Sequence, residues 1–227
     1  MNISTIRIFL LYSFCACSAS ASTVVLDTGH TLQRPGVIAA DGETEYAYNH
    51  RLTNAISTLL RKDGVTVRRT GETKDDISLT DRTRETGGTD LFVSIHHDSM
   101  AQSWIDKGWG DRLSGYSVFV SQKNPEYPMS LVCAQHVGDS LLNHQETPSL
   151  YHATRVKGEN RPLIDEKRGI HQFDDLVVLK TAKAPAILIE TGVIVNQFES
   201  KRLAQPDVIH KMALAISFGI EDCLSKR

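Results

Sequence analysis

Two histidines and two carboxylates, far apart in a sequence of 227 residues, stand where they can serve one divalent metal ion. His30 follows Val24-Val25-Leu26-Asp27-Thr28-Gly29, His96 follows Leu91-Phe92-Val93-Ser94-Ile95, and Glu190 follows Ala186-Ile187-Leu188-Ile189. Short apolar runs rich in β-branched residues read as buried strands. In open α/β sheets, sites form beyond the carboxyl ends of the strands, so one rule gathers all three residues at one sheet edge. Catalytic zinc is commonly held by three protein ligands, and two histidines with a glutamate form a documented set. His30 and His96 supply the imidazoles. The third ligand is a carboxylate returning to the same edge, either Glu45 or Glu43 at the start of the first helix. Spacing does not separate these two, and the helix dipole alone favours an acid in a first turn. Glu190 differs, because a carboxylate at the mouth of a buried strand is costly unless paired or placed near a cation. Its chemistry is that of a general base taking a proton from zinc-bound water.

The elements that must position these residues alternate along the chain. After the first strand, a Gly- and Pro-containing loop covers Gly29 to Gly42. A helix is expected from Thr44 to Lys62, with Tyr48, Leu52, Ala55, Ile56, Leu59 and Leu60 at helical spacing and Asp63-Gly64 at its end. Strands are expected at Val65–Arg68, Leu91–Ile95, Gly115–Val120, Asp175–Lys180 and Ala186–Glu190. Ser78-Leu79-Thr80-Asp81 resembles a capping box opening a short helix toward Glu85. Further helices follow Pro128, Asn196 and Pro206. Asn143 to Arg168 shows no period and reads as a long loop or insertion. The pattern implies a single α/β domain, a mainly parallel twisted sheet of about six strands flanked by helices on both faces.

Composition sets further bounds. Hydrophobic residues make up 41% and charged residues 23%, ordinary for one globular domain. A net charge of −2 gives no electrostatic reason to expect nucleic acid or an anionic membrane surface as partner. Residues 1–21 have the shape of a secretory signal: Arg7, an apolar stretch from Ile8 to Cys17, and Ala19 and Ala21 in an A-x-A arrangement. The stretch is too short for a membrane span, and neither Cys15 nor Cys17 follows a clear lipobox. The mature domain is then 22–227, exported to the periplasm or secreted. It holds Cys133 and Cys223, which suit equally a disulfide or two buried thiols. Trp104 and Trp109 suit either stacking on a sugar ring or anchoring their loop. His50, His136, His144, His152 and His210 lack a ligand context.

At the residues singled out above, the chain resembles the zinc-dependent N-acetylmuramoyl-L-alanine amidases, the AmiC-like cell-wall hydrolases of the amidase-3 type. The resemblance runs through Leu26-Asp27-Thr28-Gly29-His30, Gly42-Glu43-Thr44-Glu45-Tyr46-Ala47-Tyr48-Asn49, Asp90-Leu91-Phe92-Val93-Ser94-Ile95-His96 and Ala186-Ile187-Leu188-Ile189-Glu190-Thr191-Gly192, in that order, and covers Thr23 to Cys223. It implies one Zn2+ held by His30, Glu45 and His96, favouring Glu45 over Glu43, with Glu190 catalytic. It also implies peptidoglycan as substrate and hydrolysis of the amide joining N-acetylmuramic acid to L-alanine. Thr28 and Thr31 depart from the family's usual proline and second glycine, and His97 stands where a small residue is usual. His97 and His171, the latter in Arg168-Gly169-Ile170-His171-Gln172, are carried as substrate-binding residues, with a solvated or hydrogen-bonded place at the strand edge as the other reading of His97. Related cell-separation amidases are blocked by an inserted helix until an activator protein binds; by that resemblance Glu146, Glu159, Asp165 or Glu166 of the 143–168 segment would be the blocking acid, and the ordinary alternative is a solvated acidic loop. Two other readings fit the same constellation: another zinc peptidase or amidase, and a catalytically silent peptidoglycan-binding module.

Overall fold

The computed structural model describes residues 21–72, 76–156 and 158–226. Apart from Ala21, the expected export signal lies outside the described residues. The strands are β1 (Thr23–Thr28), β2 (Thr66–Thr70), β3 (Leu91–Asp98), β4 (Ser117–Val120), β5 (Leu163–Asp165), β6 (Ile170–Gln172) and β7 (Ala186–Val193). The helices are α1 (Glu45–Lys62), α2 (Gln102–Ile105), α3 (Tyr127–Asn143), α4 (Val177–Thr181), α5 (Gln197–Leu203) and α6 (Pro206–Leu224). All seven strands form one sheet in the order β2-β1-β3-β7-β4-β6-β5. The β1–β2, β1–β3, β3–β7 and β4–β6 pairs are parallel, while β4–β7 and β5–β6 are antiparallel.

Two expectations are corrected. Asp175–Lys180 is not a strand: Val177–Thr181 is helix α4, with the Thr181 hydroxyl donating to the Val177 carbonyl at 2.8 Å. A short apolar run does not distinguish strand from helix by period. The place beside β4 is already taken by β6, so this run lies over the sheet and buries Val178 and Leu179. The additional strands β5 and β6 have three residues each, too few to leave an alternating pattern.

The two faces of the sheet are covered unequally. On one, Val24, Leu26, Val93, Ile95, Val118, Val120, Ile187 and Ile189 pack against Tyr48, Leu52 and Ile56 of α1, Cys133 and Val137 of α3, and Ile216 and Ile220 of α6. Burial of each such side chain contributes about 1.5–3 kcal/mol. On the other, Val25, Phe92, Phe119 and Leu188 meet chiefly α4. Toward the carboxyl ends of the strands this second face carries the polar residues Asp27, His96 and Glu190, which line one side of a cleft. Helix α1 starts at Thr44, whose hydroxyl accepts from the Ala47 amide at 3.2 Å, and ends before Gly64 at φ 87°. No helix among the described residues is long and apolar enough to cross a membrane.

Cys133 and Cys223 form a disulfide between α3 and α6, both side chains wholly buried and 90 residues apart. Closing so long a loop restricts the unfolded chain and contributes about 2–4 kcal/mol. Replacing both cysteines by alanine is therefore expected to lower the thermal midpoint by roughly 5–15 °C, read by calorimetry under non-reducing conditions. An unchanged midpoint would mean that helix packing alone sets the stability of this face.

Candidate active site

His30, Glu45 and His96 arrive at one point from three elements. His30 lies just beyond β1 at φ 67° and is held there by Arg82, brought in by a 3-10 turn at Asp81–Thr83. The Arg82 guanidinium donates to Asp27 Oδ1 and the Thr28 carbonyl, each at 2.7 Å, and to the His30 carbonyl at 2.6 Å. Asp27 also accepts from the Ser94 hydroxyl at 2.6 Å. Asp27 and Arg82 are both buried, so removing either partner would leave an uncompensated charge under the His30 loop.

Glu45 occupies the first turn of α1 and faces both imidazoles, Oε2 at 2.9 Å from His30 Nε2 and Oε1 at 3.0 Å from His96 Nδ1. The Val37 amide donates to Oε2, and the His97 amide and Asn49 side chain donate to Oε1. Burial alone would raise the Glu45 carboxyl, but hydrogen bonds and charge from His30 and His96 outweigh it and hold the group well below its ordinary range. Glu43, the competing acid, is exposed and paired with Arg51. The ligand atoms of His30, Glu45 and His96 lie within 4.8 Å of one another. Two glycines make this approach feasible. A Cβ on Gly29 would come within 2.5 Å of the His96 ring, and one on Gly36, at φ 77°, would strike the Glu45 carboxylate and the His30 ring.

Glu190 is set by strand register. It pairs with His96 across β3 and β7, which puts both side chains on the cleft face. Both residues lie within their strands rather than beyond the ends, since β3 runs to Asp98 and β7 to Val193. Glu190 Oε2 is buried without a hydrogen-bond partner. Burial first, then the charges of Asp98, Glu45 and Glu159, raise its carboxyl well above the usual value. An orphaned carboxylate beside two convergent imidazoles and a second carboxylate, that of Glu45, fits a divalent cation, and the N,N,O donor set is one documented for zinc. The surrounding cleft, of about 390 Å³, has a largely apolar floor that includes Phe119, Phe173, Leu176, Val178 and Leu188.

The remaining site expectations fare differently. His97 points to the opposite face from His96. It is buried against Tyr48, with Nδ1 2.8 Å from Asn49 Oδ1, and burial lowers its pKa to about 3. It therefore steadies Asn49, which itself donates to the Gly29 carbonyl at 3.1 Å, and does not line the cleft. His171 is wholly buried, 3.1 Å from the Ser149 carbonyl, and burial lowers its pKa to about 4. Trp104 and Trp109 pack edge-on against each other, and Trp104 against Tyr151, so they anchor their loop. Three of the four acids expected to block the metal are engaged elsewhere: Glu146 with Arg202, Glu159 with His152, and Asp165 with Arg168.

One cleft group centres on His152, a histidine to which the sequence gives no ligand context. His152 lies between Asp98 Oδ2 and Glu159 Oε2, each at 2.7 Å. Burial disfavours its imidazolium, but the two carboxylates prevail and raise its pKa to about 9. The residue falls in an aperiodic stretch, and its acid seven positions on, Glu159, is the single weak signal of a pair.

The family model for N-acetylmuramoyl-L-alanine amidases matches residues 24–222. The chain belongs to this family. AmiA of Escherichia coli K12, named an N-acetylmuramoyl-L-alanine amidase, is 25% identical over 228 residues, covering 89% of this chain and 76% of that one. The probable cell wall amidase LytH of Staphylococcus saprophyticus is 25% identical over 206 residues, covering 90% and 59%. The crystal structure of the amidase Ami1 from Mycobacterium smegmatis superposes with a TM-score of 0.75 at 21% identity, covering 91% of this chain and 98% of that one. The CwlD amidase from Clostridioides difficile, in complex with the GerS lipoprotein, gives 0.67 at 22% identity, covering 91% and 100%. The amidase thus shares its fold with solved members, and its activity is that of a peptidoglycan amidase.

Groups that orient metal ligands typically account for about 10–100-fold in metal affinity. Gly36→Ala in the amidase is expected to weaken divalent-metal binding at His30, Glu45 and His96 by that order, measured by chelator competition on folded protein. Unaltered affinity would show that the loop does not hold Glu45 in place.

Proposed function

We propose that this amidase is a zinc enzyme in which His30, Glu45 and His96 hold one Zn2+ and Glu190 is the general base. The bond cleaved is the amide between N-acetylmuramic acid and the L-alanine of the stem peptide. The observation that carries the reading is the register pair His96–Glu190, which sets an unpartnered carboxylate oxygen beside the three converging donors. When bound, zinc polarises the scissile carbonyl, stabilises the charge developing on its oxygen and lowers the pKa of water. Asn49 and the His97 amide orient Glu45, and Gly29 sets how closely the His30 loop approaches His96. Glu190 Oε2 accepts a proton from the attacking water and returns it to the departing alanine nitrogen. Its raised proton affinity is in the direction that a base working near neutral pH requires. The floor made by Phe119 and Leu188 limits competing water.

Residues 1–21 as export signal and 22–227 as catalytic domain complete the reading, with action in the periplasm or outside the cell. The Cys133–Cys223 disulfide supports export, because such bonds persist in oxidising compartments. An activator protein is part of the proposal by resemblance, and the CwlD–GerS lipoprotein complex supports it.

Glu190→Gln is expected to keep one zinc per chain by elemental analysis while losing about 10²–10⁴-fold in hydrolysis of purified sacculi. His96→Ala is expected to lose the metal itself. Mass spectrometry of the digest should find a new free amine on L-alanine. A Glu190→Gln variant that releases stem peptides at the native rate would remove Glu190 as base, and new ends inside the peptide would mark a peptidase instead.

A further inference from the structure

Three guanidinium groups line the cleft. Arg34 is paired with Asp76 at 2.8 Å and Arg82 with Asp27 at 2.7 Å. Arg161 forms no ion pair among the described residues, and the nearby Asp175, which feels its charge, is itself paired with Lys123 at 2.7 Å. Its Nη2 donates to the Gly158 carbonyl at 2.9 Å, and its Nε is buried with no partner. The group is nevertheless held firmly. The guanidinium carbon stands 3.7 Å from the centre of the Phe173 ring, and the Arg161 amide donates to the His152 carbonyl at 2.6 Å. Beyond it, the Pro162 carbonyl accepts from the Gln172 amide at 2.8 Å as the chain enters β5.

The reason Arg161 lacks a partner is visible beside it. Glu159, the acid two positions away, is taken by His152 Nδ1, and the other nitrogen of that ring is bonded to Asp98. The imidazolium thus occupies the carboxylate that would otherwise neutralise the guanidinium. What remains is a cation fixed on an aromatic face, at the edge of an apolar floor, with donors still to satisfy. A planar guanidinium matches a carboxylate through two parallel hydrogen bonds. Stacking on Phe173 holds that fork in advance, so little side-chain freedom is lost on binding.

We propose that Arg161 is a specificity-determining residue that binds a carboxylate of the stem peptide while the scissile amide lies at the His30–Glu45–His96 centre. This assignment rests on the amidase reading above. A stem peptide offers carboxylates at the α-position of its second residue and at its terminus, and both share the chemistry that Arg161 recognises.

The test uses the zinc-loaded mature enzyme and synthetic N-acetylmuramoyl peptides in matched pairs. One pair differs only in a free carboxylate or a carboxamide at the second residue, the other only in a terminal carboxylate or carboxamide. The wild type should prefer the carboxylate form in one pair by about 10–100-fold in kcat/KM, mostly through KM. The pair that shows the preference identifies the source. In Arg161→Gln the preference should fall toward one. Arg161→Lys keeps the charge without the fork, so it should give an intermediate value, and it carries the test should the glutamine variant not fold. Because each preference is a ratio within one protein sample, a reduced folded fraction does not mimic the effect. If the wild type cleaves all four substrates and Arg161→Gln keeps its preference, or the wild type shows none, the assignment of Arg161 is overturned. If the wild type cleaves none of them, it is the amidase reading that fails.

Discussion

The parallel register between β3 and β7 is the constraint from which the site follows. It sets His96 opposite Glu190, and the alternation of strand side chains then sends both into the cleft. A slip of one residue would turn one of them into the apolar face, among Ile95 and Ile189. The register is protected by that same face, since Val93, Ile95, Ile187 and Ile189 all require burial under the long helices. Packing on one side of the sheet therefore aligns chemistry on the other.

The site is also an arrangement of buried charge. Asp27, Glu45, Asp98 and Glu190 all lie near the cleft face, and three have partners: Arg82 for Asp27, His30 and His96 for Glu45, and His152 for Asp98. Glu190 Oε2 alone of these has none. Unpaired buried charge opposes folding unless something compensates it. Here the imbalance falls beside three converging donors, where a bound cation would offset it. The groups proposed to bind and the group proposed to react are thus parts of one electrostatic arrangement.

Much of this was legible before any coordinates. The apolar runs before His30, His96 and Glu190 declared buried strands, and the helical stripe from Tyr48 to Leu60 declared α1. Glu45 and Glu43 were not separable by spacing, because the choice depends on where the helix begins. With Thr44 as its cap, Glu45 enters the first turn and Glu43 stays outside, beside Arg51. His97 was legible in principle, since a residue next to His96 on a strand faces the other way. What no local pattern carried was long-range pairing: Asp98 with His152, and β5, drawn from a stretch with no period, with the three-residue β6 just beyond it. Helix α4 was misread because β-branched residues favour strands only where a sheet has room for them.

The link between Cys133 and Cys223 ties α3 to α6 on the side of the sheet away from the cleft. Cytosolic thiols are kept reduced, so under the export proposed above the clasp would form only once the chain has left the cytosol. The scaffold beneath the proposed metal ligands would in that case attain its full rigidity after translocation, which would couple maturation to geography without any change at the cleft itself.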